Sequence, residues 1–214
     1  MKAGLILLIA FVIVLSQTGC ILEVNGWNIS PEKDKSPDIR DGGFVSADPC
    51  GPPCFFEIVP GITTKNQAIS LLQARALYSD CHEYDNREQG GVRGIACSNI
   101  SIGLQNDFDI VENIGFTPAQ TITVEKAITR HGEPSAVLVT DVSYAENEFV
   151  TSMILYYDAI KVELVLAEQN SGAFDLTPTT LVANIGYSDE GSYDLNRRYY
   201  QAWKGYGTYE QWNP

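Results

Sequence analysis

The chain has 214 residues, 44% of them apolar, and carries 27 Asp and Glu against 14 Lys and Arg for a formal charge of -13. That length and apolar share are enough for a substantial core that does not depend on staples. An acidic chain with no basic run has nothing to neutralise phosphates or to draw it to an anionic membrane, which excludes nucleic acid as a partner and electrostatics as a membrane anchor.

Lys2 is followed by the apolar run Ala3 to Leu15 and then by Ser16-Gln17-Thr18-Gly19-Cys20. As a helix this run rises only ~20 Å, against ~30 Å of bilayer hydrocarbon. Residues 1–19 therefore read as an export signal peptide and not as a span. A glycine directly before a cysteine at the end of such a run resembles the lipobox of bacterial lipoproteins. The resemblance implies that Cys20 is diacylated and becomes the new N-terminus, lipid-anchoring the protein to the extracytoplasmic face of the membrane in the cell envelope. Ordinary cleavage and secretion is the alternative. Residues 20–49, with Pro, Gly, Asp, Lys and Ser and little apolar periodicity, read as the lipid anchor and a flexible tether.

Four further cysteines, Cys50, Cys54, Cys81 and Cys97, are an even number in an exported chain and predict two disulfides. Two prolines between Cys50 and Cys54 argue against closing so short a ring. Cross-links from that segment to Cys81 and Cys97 are expected instead, although three connectivities are open.

From Cys54 on, elements follow in order. Phe55 to Val59 is strand-like, Pro60-Gly61 is a turn, and Thr63 or Thr64 caps a helix carrying Ala68, Ile69, Leu71, Leu72, Ala76 and Leu77, ending near Tyr78 or Ser79. Strands are predicted at Val92 to Cys97, Asn99 to Leu104 and Phe108 to Phe116. A short helix opens at Ile122 to Ile128 and ends at Gly132 and Pro134. Further strands are predicted at Ser135 to Tyr144, Phe149 to Tyr157, Ile160 to Ala167 and Thr180 to Tyr187.

Residues repeat along with the order. Thr64-x-x-x-Ala68-Ile69 is echoed by Thr123-x-x-x-Ala127-Ile128, and Val111-x-Asn113-Ile114-Gly115-Phe116 by Val182-x-Asn184-Ile185-Gly186-Tyr187. The expected fold is α+β, two tandem helix-plus-antiparallel-sheet units. These are a disulfide-stapled unit at 50–117 and a second at 118–188, followed by an aromatic-rich tail at 189–214.

The segment Cys54-Phe55-Phe56-Glu57-Ile58-Val59-Pro60-Gly61-Ile62-Thr63-Thr64, with Ile128-Thr129-Arg130-His131-Gly132-Glu133-Pro134 and the closing Trp203-Lys204-Gly205-Tyr206-Gly207-Thr208-Tyr209, resembles uncharacterised exported lipoproteins of Chloroflexi-type bacteria. The Gly-x-Thr helix cap and Gly-x-Pro exit are also similar, more remotely, to BamE/SmpA-like small lipoproteins and to the tandem β-lactamase-inhibitor-protein fold. The first likeness brings no function. The second implies helix-plus-sheet units that bind other proteins through an exposed sheet face.

The chemistry-bearing clusters each have a plain reading. Cys50-Gly51-Pro52-Pro53-Cys54 has one proline too many for a Cys-x-x-Cys redox loop and is followed by no helix. Asp80-Cys81-His82-Glu83-Tyr84-Asp85 reads as a solvated loop pinned by a disulfide, since a zinc site needs three or four ligands at defined spacing. His131 sits in a last helical turn, where a cation complements the helix dipole. Glu146 and Glu148 fall in a hairpin turn. No catalytic residue, metal or cofactor is expected. Tyr199, Tyr200, Trp203, Tyr206, Tyr209 and Trp212 are the candidate binding surface, their rings giving contact area with a polar handle; the same residues would also serve to cover an open sheet edge. The expected function is non-enzymatic: a membrane-anchored recognition or envelope-assembly module whose partner is an envelope protein. A redox protein working through Cys50 and Cys54, or a cell-wall glycan binder, are the alternatives.

Overall fold

The computed structural model describes residues 39–89, 91–145, 148–170, 172–195 and 200–211. The signal, Cys20, Glu146, Tyr199 and Trp212 lie outside the described residues. Among the described residues three short helices, α1 (Lys65–Ala74), α2 (Val124–His131) and α3 (Glu190–Leu195), accompany twelve strands: β1 (His82–Asp85), β2 (Arg93–Ala96), β3 (Ile100–Leu104), β4 (Val111–Phe116), β5 (Ala136–Ala145), β6 (Glu148–Tyr157), β7 (Val162–Leu166), β8 (Gln169–Asn170), β9 (Ala173–Leu176), β10 (Val182–Ser188), β11 (Gln201–Ala202) and β12 (Gly207–Glu210).

Ten of these strands form one antiparallel sheet in the order β1-β2-β3-β4-β10-β7-β6-β5-β11, with β8 beside β6; β12 and β9 make a separate pair. This corrects the expectation of two tandem α+β units, because strands dominate and the sheet is continuous. The cause is the pairing of β4 with β10, Phe116 facing Ile185 and Ile114 facing Tyr187. Left apart, each strand would present a row of free N–H and C=O groups, and pairing satisfies both rows at once. The two echoed hexapeptides are thus neighbouring strands at the middle of one sheet.

Alternation sets the two faces. Ile95, Ile102, Ile114, Tyr187, Val162 and Tyr157 face one another in register across six strands. All six are buried, each contributing roughly 1.5–3 kcal/mol by leaving water. The opposite face carries small residues in register, Ser101, Gly115 and Gly186, before Glu163 and Tyr156.

Both helix starts are stitched to the strand entering the sheet's middle. Thr64 caps α1 in a capping box with Gln67 and bridges Ile110; Thr123 caps α2 and bridges Leu181. The N–H of Val111 donates to Thr63 at 2.8 Å, and that of Val182 to Ile122 at 2.9 Å. Helix α1 ends four residues earlier than its apolar pattern suggests. Ala76 turns left-handed (φ 54°), which swings Leu77 into the core and returns its N–H to Leu72.

The stretch expected to be tether is docked from Ile39 onward. Ile39, Asp41 and Phe44 are buried, and the Asp41 carboxylate accepts from the N–H groups of Gly43, Val45 and Ser46 and from the Ser46 hydroxyl. Gly42 packs so closely on Phe116 that a β-carbon would strike the ring, and its φ of 57° suits glycine. Phe55 to Val59 is a tight turn and not a strand: Phe55 and Ile58 bridge each other across left-handed Phe56 and Glu57. Asp80 to Asp85 is partly strand, since His82–Asp85 forms the sheet edge β1.

Candidate functional site

The disulfides are Cys50–Cys54 and Cys81–Cys97, which corrects the expected cross-links between the two segments. The prolines bend the short loop instead of holding it open: Cys54 N–H donates to Gly51 at 3.1 Å, and the Cα atoms come within 5.7 Å, inside the range a disulfide spans. The pair is followed by the left-handed Phe56-Glu57 turn and not by a helix N-terminus. Asp80, Cys81 and Cys97 converge, but the two sulfurs are bonded to each other and offer no thiolate. Asp80 instead accepts from the Ser98 hydroxyl and N–H, which hold its carboxyl below the usual range.

His131 is not a surface dipole cap. Its ring packs on Phe44 at 4.5 Å between centroids and its Nε2 bonds the Phe44 carbonyl at 2.6 Å. Burial lowers its pKa, with the Arg130 charge adding to the effect. The neutral imidazole is therefore a clasp between α2 and the docked segment.

The described part of the aromatic tail packs back on the strands. Strand β11 pairs with β5, and β12 pairs with β9. Tyr200 lies on Tyr156 with centroids 4.1 Å apart, Trp203 stacks on Tyr209 at 6.3 Å, and the Tyr209 hydroxyl is spent on Gly205 and Lys204. Tyr209 is buried, Tyr200 and Trp203 are half-buried, and Tyr206, with 43% of its surface open, is the one exposed ring among the described members. A sheet edge lacking partners draws the tail back, which is why rings that looked free are covered.

Two surfaces that the sequence reading passed over stand out. The first is the end of the sheet where β1 turns to β2, β3 turns to β4, and β10 finishes. Loops there display Ile62, Phe108 and Val92 with 74%, 63% and 57% of their surface open. Two guanidiniums tie the β1–β2 and β3–β4 loops together. Arg87 pairs with Asp85 and donates to the Asn106 carbonyl at 2.9 Å; Arg93 donates to the carbonyls of Gln105 at 3.2 Å and Phe108 at 2.8 Å and pairs with Asp109. Gln105 Nε2 reaches Asp189 at 3.0 Å. Hydrogen bonding to Arg87 holds the Asp85 carboxyl down at about 2. Burial raises that of Asp189, but the hydrogen bonds from Ser192 and Gln105 outweigh it and the net shift is downward. The legible signal was an apolar residue inside a polar turn, as in Pro60-Gly61-Ile62 and Asn106-Asp107-Phe108.

The second surface is a cleft of about 610 Å³ at the C-terminal end of α1, lined by Arg40, Asp48, Pro49, Phe56, Gln73, Ala74, Arg75 and Ala76. Arg75 lies over the Phe56 ring, 5.4 Å from its centroid, with the Glu57 carboxylate at 3.6 Å; Arg40 pairs with Asp48 at 3.1 Å. Nothing in the sequence pattern pointed to it, because its residues come from two separate loop segments and the end of α1. No family model, curated protein or solved structure matches the chain.

Proposed function

We propose that this chain is an exported, lipid-anchored module of the cell envelope that recognises another protein, without catalysis, through the loop end bearing Ile62, Val92 and Phe108. One observation carries the reading: Val92 and Phe108 stand exposed on two loops that Arg87 and Arg93 tie together, and Ile62 stands exposed on the adjoining turn, which the N–H groups of Gly61 and Lys65 bond to the Val111 and Asp109 carbonyls. Monomeric surfaces bear single apolar residues routinely, whereas grouped ones mark contact sites. Loops already held in one arrangement lose little freedom on docking, so the apolar contact is realised as affinity. The export signal and the Gly19-Cys20 pair support the location.

The test is site-directed photocross-linking in the native envelope, with the reactive residue at position 108 or 62 and a control at the exposed Thr208 of β12. A discrete protein adduct from 108 and 62, absent at 208 and lost when Val92 is changed to Ser, is expected. Equal labelling at all three positions, or none at 108 and 62, would refute it.

A further inference from the structure

The cleft beside α1 is separate from the loop end, and what it binds does not depend on the reading above. In a chain with so few bases, two guanidiniums line one hollow. Arg75 is the telling one. Among the described residues its side chain makes no hydrogen bond: it rests on the Phe56 ring, and its nearest carboxylate, Glu57, stands at 3.6 Å. Only 27% of that side chain is exposed, so the fork is held in place yet keeps donors to spare. Such a planar fork matches a carboxylate with two parallel N–H···O bonds.

The backbone around it is bent at some cost. Among the described residues six that are not glycine take positive φ, and Arg40, Phe56 and Ala76 of the cleft wall are three of them, with Ala47 and Glu57 adjoining. Each costs on the order of 1 kcal/mol or more, and such residues gather where a geometry is being held for use.

We infer that this cleft binds a small organic carboxylate that also carries hydroxyl or amino donors. Arg75 takes the carboxylate on its fork. Arg40 adds a second positive group, while the Gln73 amide and the Asp48 and Glu57 carboxylates receive the accompanying donors. Those two acids balance the guanidiniums, so a bare dianion gains little and a ligand with both characters gains most. The distant acids of the chain are screened beyond ~8 Å at physiological salt, leaving the local groups to decide. The Arg40–Asp48 pair, open to water on both sides, is worth ~0–1 kcal/mol and yields to a better partner.

The experiment is an NMR titration of the full chain following the backbone amides of Phe56, Glu57 and Gln73 to Ala76. D-galacturonate and L-serine are the probes that carry both characters, and D-galactose lacks the carboxylate. Saturable shifts with one or both acids and none with galactose are expected; which acid binds separates a sugar acid from an amino acid as the source. Arg75→Gln and Arg75→Lys should each weaken binding by about tenfold or more, the second because lysine keeps the charge and loses the fork. Absence of saturable shifts with both acids overturns the inference. So does full affinity in Arg75→Lys or in an Arg75→Gln protein whose spectrum is otherwise unchanged.

Discussion

Replacing Arg93 with Met keeps the aliphatic stem and removes the guanidinium that binds the β3–β4 loop to β2. The wild-type group donates to two backbone carbonyls, Gln105 and Phe108, and pairs with Asp109, while its own side chain is only 16% exposed. A hydrogen bond from a charged donor contributes about 1.5–3 kcal/mol when well buried; here the bond to Gln105 is half-buried and that to Phe108 exposed, so water replaces part of the loss and about 1 kcal/mol each is apt. The ion pair with the open Asp109 adds ~0–1 kcal/mol. The total is roughly 2–3 kcal/mol, which for a chain of this size lowers Tm by about 5–10 °C. Hydrogen exchange at Gln105 to Ile110 should quicken by about thirtyfold to a hundredfold, since each 1.4 kcal/mol is a factor of ten. Asp109→Asn alone should cost no more than ~1 kcal/mol, separating the ion pair from the carbonyl bonds. A Tm within ~1 °C of wild type, with unchanged exchange at residues 105–110, would show that Arg93 does not hold the loop end together.

Phe116→Ala removes a ring packed at 4.6 Å on Phe55 and 5.4 Å on Tyr187 and should cost ~3–5 kcal/mol by urea denaturation. Stability should fall as pH drops below ~6.5: the folded state depresses the His131 pKa, so the unfolded chain binds more protons in the interval beneath that value, and the contribution is complete above it. Urea midpoints between pH 8 and pH 5 measure this, and His131→Gln should flatten the slope. Opening Cys81–Cys97 by serine substitution should cost ~3 kcal/mol, and opening the shorter Cys50–Cys54 ring ~2 kcal/mol, from loop entropy alone. Intact mass of the membrane fraction should show a diacylated Cys20 start and a gain of about four protons on reduction; an unmodified mass in the medium would place the protein outside the membrane.

The sequence announced what depends on neighbours along the chain. Thr64 and Thr123 cap helices, Gly132 ends α2 (φ 83°), and strands β2 to β7 and β10 fall where alternating apolar residues put them. Long-range partners were hidden. That β4 lies against β10 depends on two edges seeking each other, and the echo between them is equally compatible with separate sheets. The short strands β1, β8, β9, β11 and β12 are polar or too brief for alternation to show. Docking of Phe44 rests on the Asp41 carboxylate gathering three N–H groups, a pattern that composition reads as loop. The sites fared worse for the same reason. Tyr209 and Tyr200 looked like free rings because the edge they help to cover is distant in sequence, and Arg75 meets Phe56 only through a turn and a helix end.

The union of β4 with β10 also dictates an order of events. Residues 111–116 are made long before residues 182–188, yet neither strand has its full set of partners until both exist. Until the later strand is in place the earlier portion has one flank bare, open to pairing with other chains. Both cystines lie in that waiting portion, and the later one, joining positions 81 and 97, ties the start of β1 to the turn between β2 and β3. Covalent closure at that point keeps the early strands together until the closing strand arrives.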